Sequence, residues 1–103
     1  MSESDPQQFI YIVRPPRPSF AEDATDEELA KVGEHFAYLQ DLLAKGVLIL
    51  AGRTYDTPPE GYVIFEVDDE AAAKRVMEAD PAVVAGIFRA ELRPYRVALY
   101  RGS

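Results

Sequence analysis

The chain has one histidine, His35, and no cysteine, so proton transfer near neutral pH rests on a single imidazole. A lone imidazole becomes an effective acid/base when a carboxylate fixes its tautomer and raises its basicity. Asp80 is the candidate for that partner. It stands before Pro81, where the chain must leave helical geometry. On spacing alone Asp80 also suits a helix-ending aspartate, and His35 a hydrogen-bonded packing residue. Two arginines stand where a substrate anion would be met. Arg14 closes the first apolar run, and Arg53 follows the glycine that interrupts the second. A guanidinium pairs bidentately with a carboxylate, so both are candidate anion anchors. Tyr38 and Gly52 complete the candidate substrate-binding set.

Other chemistries fail on the residues present. Without cysteine there are no disulfides, thiolate nucleophiles or cysteine-ligated metal centres. The serines, Ser2, Ser4, Ser19 and Ser103, stand in tails or a loop, which disfavours a serine triad. One histidine with scattered carboxylates has no metal-ligand spacing. Gly52, Gly61 and Gly86 form no phosphate-cradling loop. Neither a metal nor a cofactor is expected.

The net charge is −7, which argues against nucleic acid as a partner, because phosphate contacts need a basic surface. The charge is uneven. Glu22 to Glu34 holds six acidic residues against Lys31, and Arg89 to Arg101 four arginines against Glu91. Two solvated faces account for this; a local anion site near the last strand is the sharper alternative. The N-terminus has no basic stretch followed by an apolar one, and no apolar run approaches the roughly 20 residues of a membrane helix. A cytoplasmic protein is expected.

The 103 residues suit one domain, and nearly half are hydrophobic, enough for one core. After a loose tail over residues 1–7, Gln8–Arg14 is a β-rich run that Pro15, Pro16 and Pro18 end. Thr25 and Glu28 have capping-box spacing. Leu29, Val32, Phe36, Leu39 and Leu43 then recur at steps of three and four, the stripe of a helix lying on a sheet. His35 falls about 70° from the centre of that stripe, on its shoulder with Tyr38 and Leu42. Gly46 is the stop. Val47–Ala51 reads as a strand covered on both faces. Tyr62–Val67 is the next strand, paired antiparallel with it. Asp68 and Asp69 offer an N-cap for a shorter helix over Glu70–Ala79. Ala82–Gly86 suits one more helical turn, and Ile87–Tyr100 a last strand in which Pro94 requires an edge or a bulge.

The order is βαββαβ. Two right-handed crossovers place both helices on one face of a four-stranded antiparallel sheet, an α+β, ferredoxin-like arrangement. The uncovered face carries large apolar residues, so a homodimer pairing face to face is expected.

The segments His35-x-x-Tyr38-Leu39-x-x-Leu42, Gly46-Val47-Leu48, Ala51-Gly52 and Ala79-Asp80-Pro81-x-Val83-x-Ala85-Gly86-Ile87 together resemble the YCII-related family, in order from Phe9 to about Leu99. The resemblance implies a dimeric α/β barrel and an active site in which His35 and Asp80 face one cleft. Most members have no assigned reaction; one characterised activity removes chloride from a chlorinated hydroxyquinol. Arg53 replaces a proline common after the strand glycine, and Ala82 an aromatic residue usual after Asp-Pro, which implies a different substrate. The expected function is cofactor-independent elimination or isomerisation of a small anionic or phenolic compound. His35 would be the acid/base and Asp80 its orienting partner. The alternative is a non-catalytic dimeric module that binds a small ligand or partner.

Overall fold

A computed structural model describes residues 7–101. Of the expected tail over residues 1–7, residues 1–6 lie outside them, and Gln7 belongs to the first strand. The strands are β1 (Gln7–Arg14), β2 (Leu48–Arg53), β3 (Gly61–Val67) and β4 (Arg89–Pro94). The helices are α1 (Phe20–Asp23), α2 (Asp26–Ala44), α3 (Glu70–Glu78) and α4 (Pro81–Val84). All neighbouring strands are antiparallel in the order β2-β3-β1-β4. This is the ferredoxin-like α+β fold.

Alternation along β1 decides which residues meet the helices. Phe9, Tyr11 and Val13 are buried, and register pairs them with Phe65, Val63 and Gly61 of β3. The Phe65 ring packs against those of Phe9 at 6.1 Å and Tyr11 at 5.8 Å. Each buried aromatic or aliphatic side chain contributes roughly 1.5–3 kcal/mol by leaving water. The opposite face presents Ile10 and Ile12, with Ile64 opposite Ile10.

Helix α2 starts in a complete capping box: Glu28 N–H donates to Thr25 Oγ1 and Thr25 N–H to Glu28 Oε1. It ends with Gly46 at φ +78°. There the Val47 and Gly46 amides donate to the carbonyls of Leu42 and Leu43, which a non-glycine residue would strain. Its buried face differs from the expected stripe. Leu39 and Leu42 are buried, whereas Leu29, Phe36 and Leu43 are more than half exposed. The helix is turned so that Tyr38 and His35 face inward. Both find polar partners there, so apolarity alone misjudged the inner face.

Three further elements differ from expectation. β2 is an edge strand with Leu50–Arg53 exposed, because β3 is its one neighbour. The paired part of the last strand ends at Pro94; this proline, opposite Phe9 on an edge strand, has no amide to leave unpaired. The short α1 follows the prolines, where the sequence marks no helix. Arg17 holds it by donating to Asp23 and Glu28 at 2.8–3.0 Å.

Candidate functional site

Asp80 is the one buried charged residue among those described, with no exposed surface. Its backbone is the extended N-cap of α4. Pro81 forces this geometry, and the cap aims one carboxylate oxygen back at the chain: Oδ1 accepts from Ala82 N–H at 3.0 Å. The other oxygen points between the sheet and α2. Oδ2 lies 2.6 Å from His35 Nδ1 and accepts from the Tyr11 hydroxyl at 2.7 Å. A carboxylate can only accept, so the proton of that 2.6 Å contact belongs to Nδ1. In the neutral imidazole the remaining ring nitrogen, Nε2, then carries the lone pair.

His35 is mostly buried, with 13% of its side chain exposed, and it lines a cavity of about 550 Å³. Phe88 meets the imidazole edge-to-face at 5.3 Å and Phe20 in turn packs on Phe88 at 6.0 Å. The left-handed Gly86 (φ +74°) turns the chain after α4 so that Phe88 can reach this position. The Phe88 ring on one side and the Asp80 hydrogen bond on the other leave the imidazole little freedom.

The cavity is otherwise mainly apolar, with Leu29, Val32 and Phe36 of α2 on one wall. Its polar side chains besides His35 are Arg53, Glu60 and Tyr62. Glu60 accepts from Tyr62 at 2.9 Å and from Arg14 Nε at 3.0 Å. The Tyr62 phenol is raised above its ordinary value, first by that bond to Glu60. Gly61 is required here, since a Cβ would come within 2.7 Å of Val13 Cγ2.

The expected site residues thus separate. His35 and Asp80 come together. Gly52 and Arg53 line the same cavity as His35. Arg53 makes no ion pair among the described residues, and its guanidinium lies 5.3 Å over the Tyr55 ring. Arg14 is not among the residues lining this cavity, and it pairs with Glu60 and Glu91 at 3.0 and 3.1 Å. Tyr38 gives its hydroxyl to the Val76 carbonyl at 2.8 Å, so it ties α2 to α3 rather than facing the cavity. Tyr11 and Glu60 were missed. Tyr11 had a signal: a tyrosine at an inward strand position needs a partner for its hydroxyl. Glu60 sits in a turn, where nothing in the spacing marks it.

Among the described residues no group of three potential metal-ligating side chains comes together. No helix there is long and apolar enough to cross a membrane.

A helix histidine against the aspartate of an Asp-Pro cap, on a β2-β3-β1-β4 sheet, defines an α+β protein with a histidine–carboxylate pocket. The chain belongs to the YCII-related domain family, whose model matches residues 9–96. It is similar in fold to 5-chloro-2-hydroxyhydroquinone dehydrochlorinase from Burkholderia phenoliruptrix AC1100, solved in complex with 2,5-dihydroxybenzoquinone. That match has 21% identity and a TM-score of 0.63 over 85% of this chain and 93% of the other. PA3566 from Pseudomonas aeruginosa matches with 17% identity and a TM-score of 0.51, over 95% and 100% of the two chains. SnoaB, a cofactor-independent oxygenase from Streptomyces nogalater, matches with 13% identity and a TM-score of 0.50, over 96% and 99%. No curated protein matches significantly.

Proposed function

We propose that the chain is a cofactor-independent enzyme that moves a proton on a small phenolic or anionic aromatic compound, with His35 as acid/base and Asp80 as its orienting partner. The observation that carries this reading is a buried carboxylate 2.6 Å from Nδ1 of the histidine that lines the cavity. With Nδ1–H held by Asp80, Nε2 accepts a proton from a ring hydroxyl or an acidic C–H. The electron pair released moves into the substrate. In an isomerisation the imidazolium returns the proton to another carbon. In an elimination a leaving group departs with its bonding pair, and the proton is later lost to water.

The cavity's apolar walls suit a flat ring. Arg53 is the cation left to meet an anionic oxygen, while Arg14 serves to hold Glu60. The fold neighbour that binds a quinone gives the substrate search its starting point. A panel of phenols, lactones and chlorinated hydroxyquinols, assayed with the parent chain and His35→Ala, tests the reading. Turnover that depends on His35 supports it. Turnover unchanged in His35→Ala rejects it, as does ligand binding without turnover across the panel, which makes the chain a binding module. Arg53→Lys should weaken binding of the active compound, because the planar fork is lost.

We further propose that two copies pair through the face carrying Ile10, Ile12 and Ile64. That face lies opposite the helices, and pairing should bury over about 1,000 Å² in total. Light scattering that gives a monomer at micromolar concentration rejects this.

A further inference from the structure

Asp80 Oδ2 has two facing donors, on different elements. His35 reaches it from α2, and Tyr11 reaches the same atom from the central strand β1. Tyr11 has no exposed surface and is not part of the cavity lining, so substrate does not touch it. The other groups around the carboxylate are the Ala82 amide on Oδ1 and Tyr38, whose hydroxyl is engaged by Val76. No buried side-chain nitrogen or oxygen among the described residues lacks a partner.

We propose that Tyr11 is a positioning residue of this site: its phenol shares the charge of the oxygen that faces His35 Nδ1, and so sets how strongly the imidazole is polarised towards Nε2. This rests on the acid/base reading of His35. The physical argument is competition for one acceptor. Two donors on one oxygen divide its charge, and each bond is weaker than it would be alone. Tyr11 cannot step aside by losing its proton, because burial, then the charge of Asp80, raise the phenol far above its ordinary value. It cannot turn to water either, since none reaches it. The phenol is thus a permanent donor that limits the pull of Asp80 on the Nδ1 proton. It also holds the carboxylate in the rotamer that presents Oδ2 to α2.

The test is Tyr11→Phe, read on the only histidine in the chain. Two measurements need no substrate. The first is the proton resonance of His35 Nδ1–H. The second is the rate at which diethyl pyrocarbonate modifies Nε2, compared at one fixed alkaline pH. With the competing donor gone, the Nδ1–H resonance should move downfield and modification should be roughly threefold faster. Tyr38→Phe, which removes a hydroxyl not bonded to the carboxylate, should change neither. A Tyr11→Phe resonance that stays put or moves upfield overturns the proposal, because mere loosening of the core does not strengthen a hydrogen bond. If Tyr11→Phe does not fold, the parent chain still decides. The sealed Tyr11 hydroxyl should give its own slowly exchanging downfield proton, and its absence at neutral pH overturns the proposal. Failure of the dyad itself looks different: there the parent His35 would carry its proton on Nε2.

Discussion

Two carboxylates in this molecule have nearly the same partners and opposite characters. Asp80 accepts from a tyrosine hydroxyl and from the nitrogen of His35. Glu60 accepts from a tyrosine hydroxyl and from the nitrogen of Arg14. The first has no exposed surface, whereas about a third of the Glu60 side chain is exposed. Burial raises the worth of every bond to Asp80 and the cost of every bond lost. The nitrogen partner matters as much. An imidazole can give and take a proton near neutrality, but a guanidinium stays charged. One wall of the cavity therefore carries a group able to exchange a proton, and the other a fixed charge.

The largest expected difference between the two walls is in rate. His35→Ala should lower turnover by about 10²- to 10⁴-fold, and Glu60→Gln by less than about tenfold, since it removes charge without removing the acid/base. Steady-state kinetics on the substrate found in the panel measures both. Equal losses would erase the distinction. Stability comes next. Asp80→Ala strands the Tyr11 hydroxyl, His35 Nδ1–H and the Ala82 amide, and should cost about 3–5 kcal/mol. Glu60→Ala, at a half-open site, should cost no more than about 1 kcal/mol. Urea denaturation of the two variants gives both numbers.

A smaller effect tests the geometry of the Glu60 wall. Gly61→Ala should destabilise by about 1–3 kcal/mol through overpacking, as the new Cβ meets Val13 Cγ2 at 2.7 Å. Val13→Ala in the same chain should recover part of that loss. Gly52→Ala, on the neighbouring strand, meets nothing within 4 Å and should leave the melting temperature nearly unchanged. A Gly52 variant as damaged as the Gly61 one would mean that backbone freedom, not space, governs this wall.

How much of this was legible follows the same divide. The strand and helix order came from local signals: proline clusters, the Thr25–Glu28 box, and the stops at Gly46 and before Pro81. Each of these acts over a few residues and survives folding. The dyad was legible as residue types, and its two halves stand 45 residues apart in sequence. What failed was rotation and solvent exposure. Of the expected α2 stripe, Leu29, Val32, Phe36, Leu39 and Leu43, only Leu39 is buried, because a count of apolar residues cannot know that His35 and Tyr38 find inward partners. β2 was read as covered on both faces because an apolar run does not say that its strand lies at an edge. The ion pairs of Arg14 are not legible in the sequence either, because Glu60 and Glu91, 46 and 77 residues away, approach it only in the folded sheet.

A third carboxylate extends the comparison to the surface and carries the smallest effect. Glu28 closes the α2 capping box and accepts both terminal nitrogens of Arg17, the residue that holds α1 beside the cavity. The hydrogen bond from Arg17, then that from the Thr25 backbone, pull its carboxyl down from 4.5 to about 2. A carboxyl held lower in the folded chain than in the unfolded one adds stability above the unfolded value. That stability is lost as the pH falls from about 4.5 towards 2. Glu28→Gln keeps an oxygen for the Thr25 amide but loses the charge that Arg17 meets. The parent should therefore lose stability faster than the variant between pH 5 and pH 2, and the two should converge at the acid end. Above pH 5 the gap should be constant and, at a part-buried ion pair, narrowed only modestly by added salt. Thermal melts at matched pH and two salt concentrations measure this. Parallel pH profiles for parent and variant would mean that the Arg17 pair contributes nothing to holding α1, and that the cap alone keeps this edge of the cavity in place.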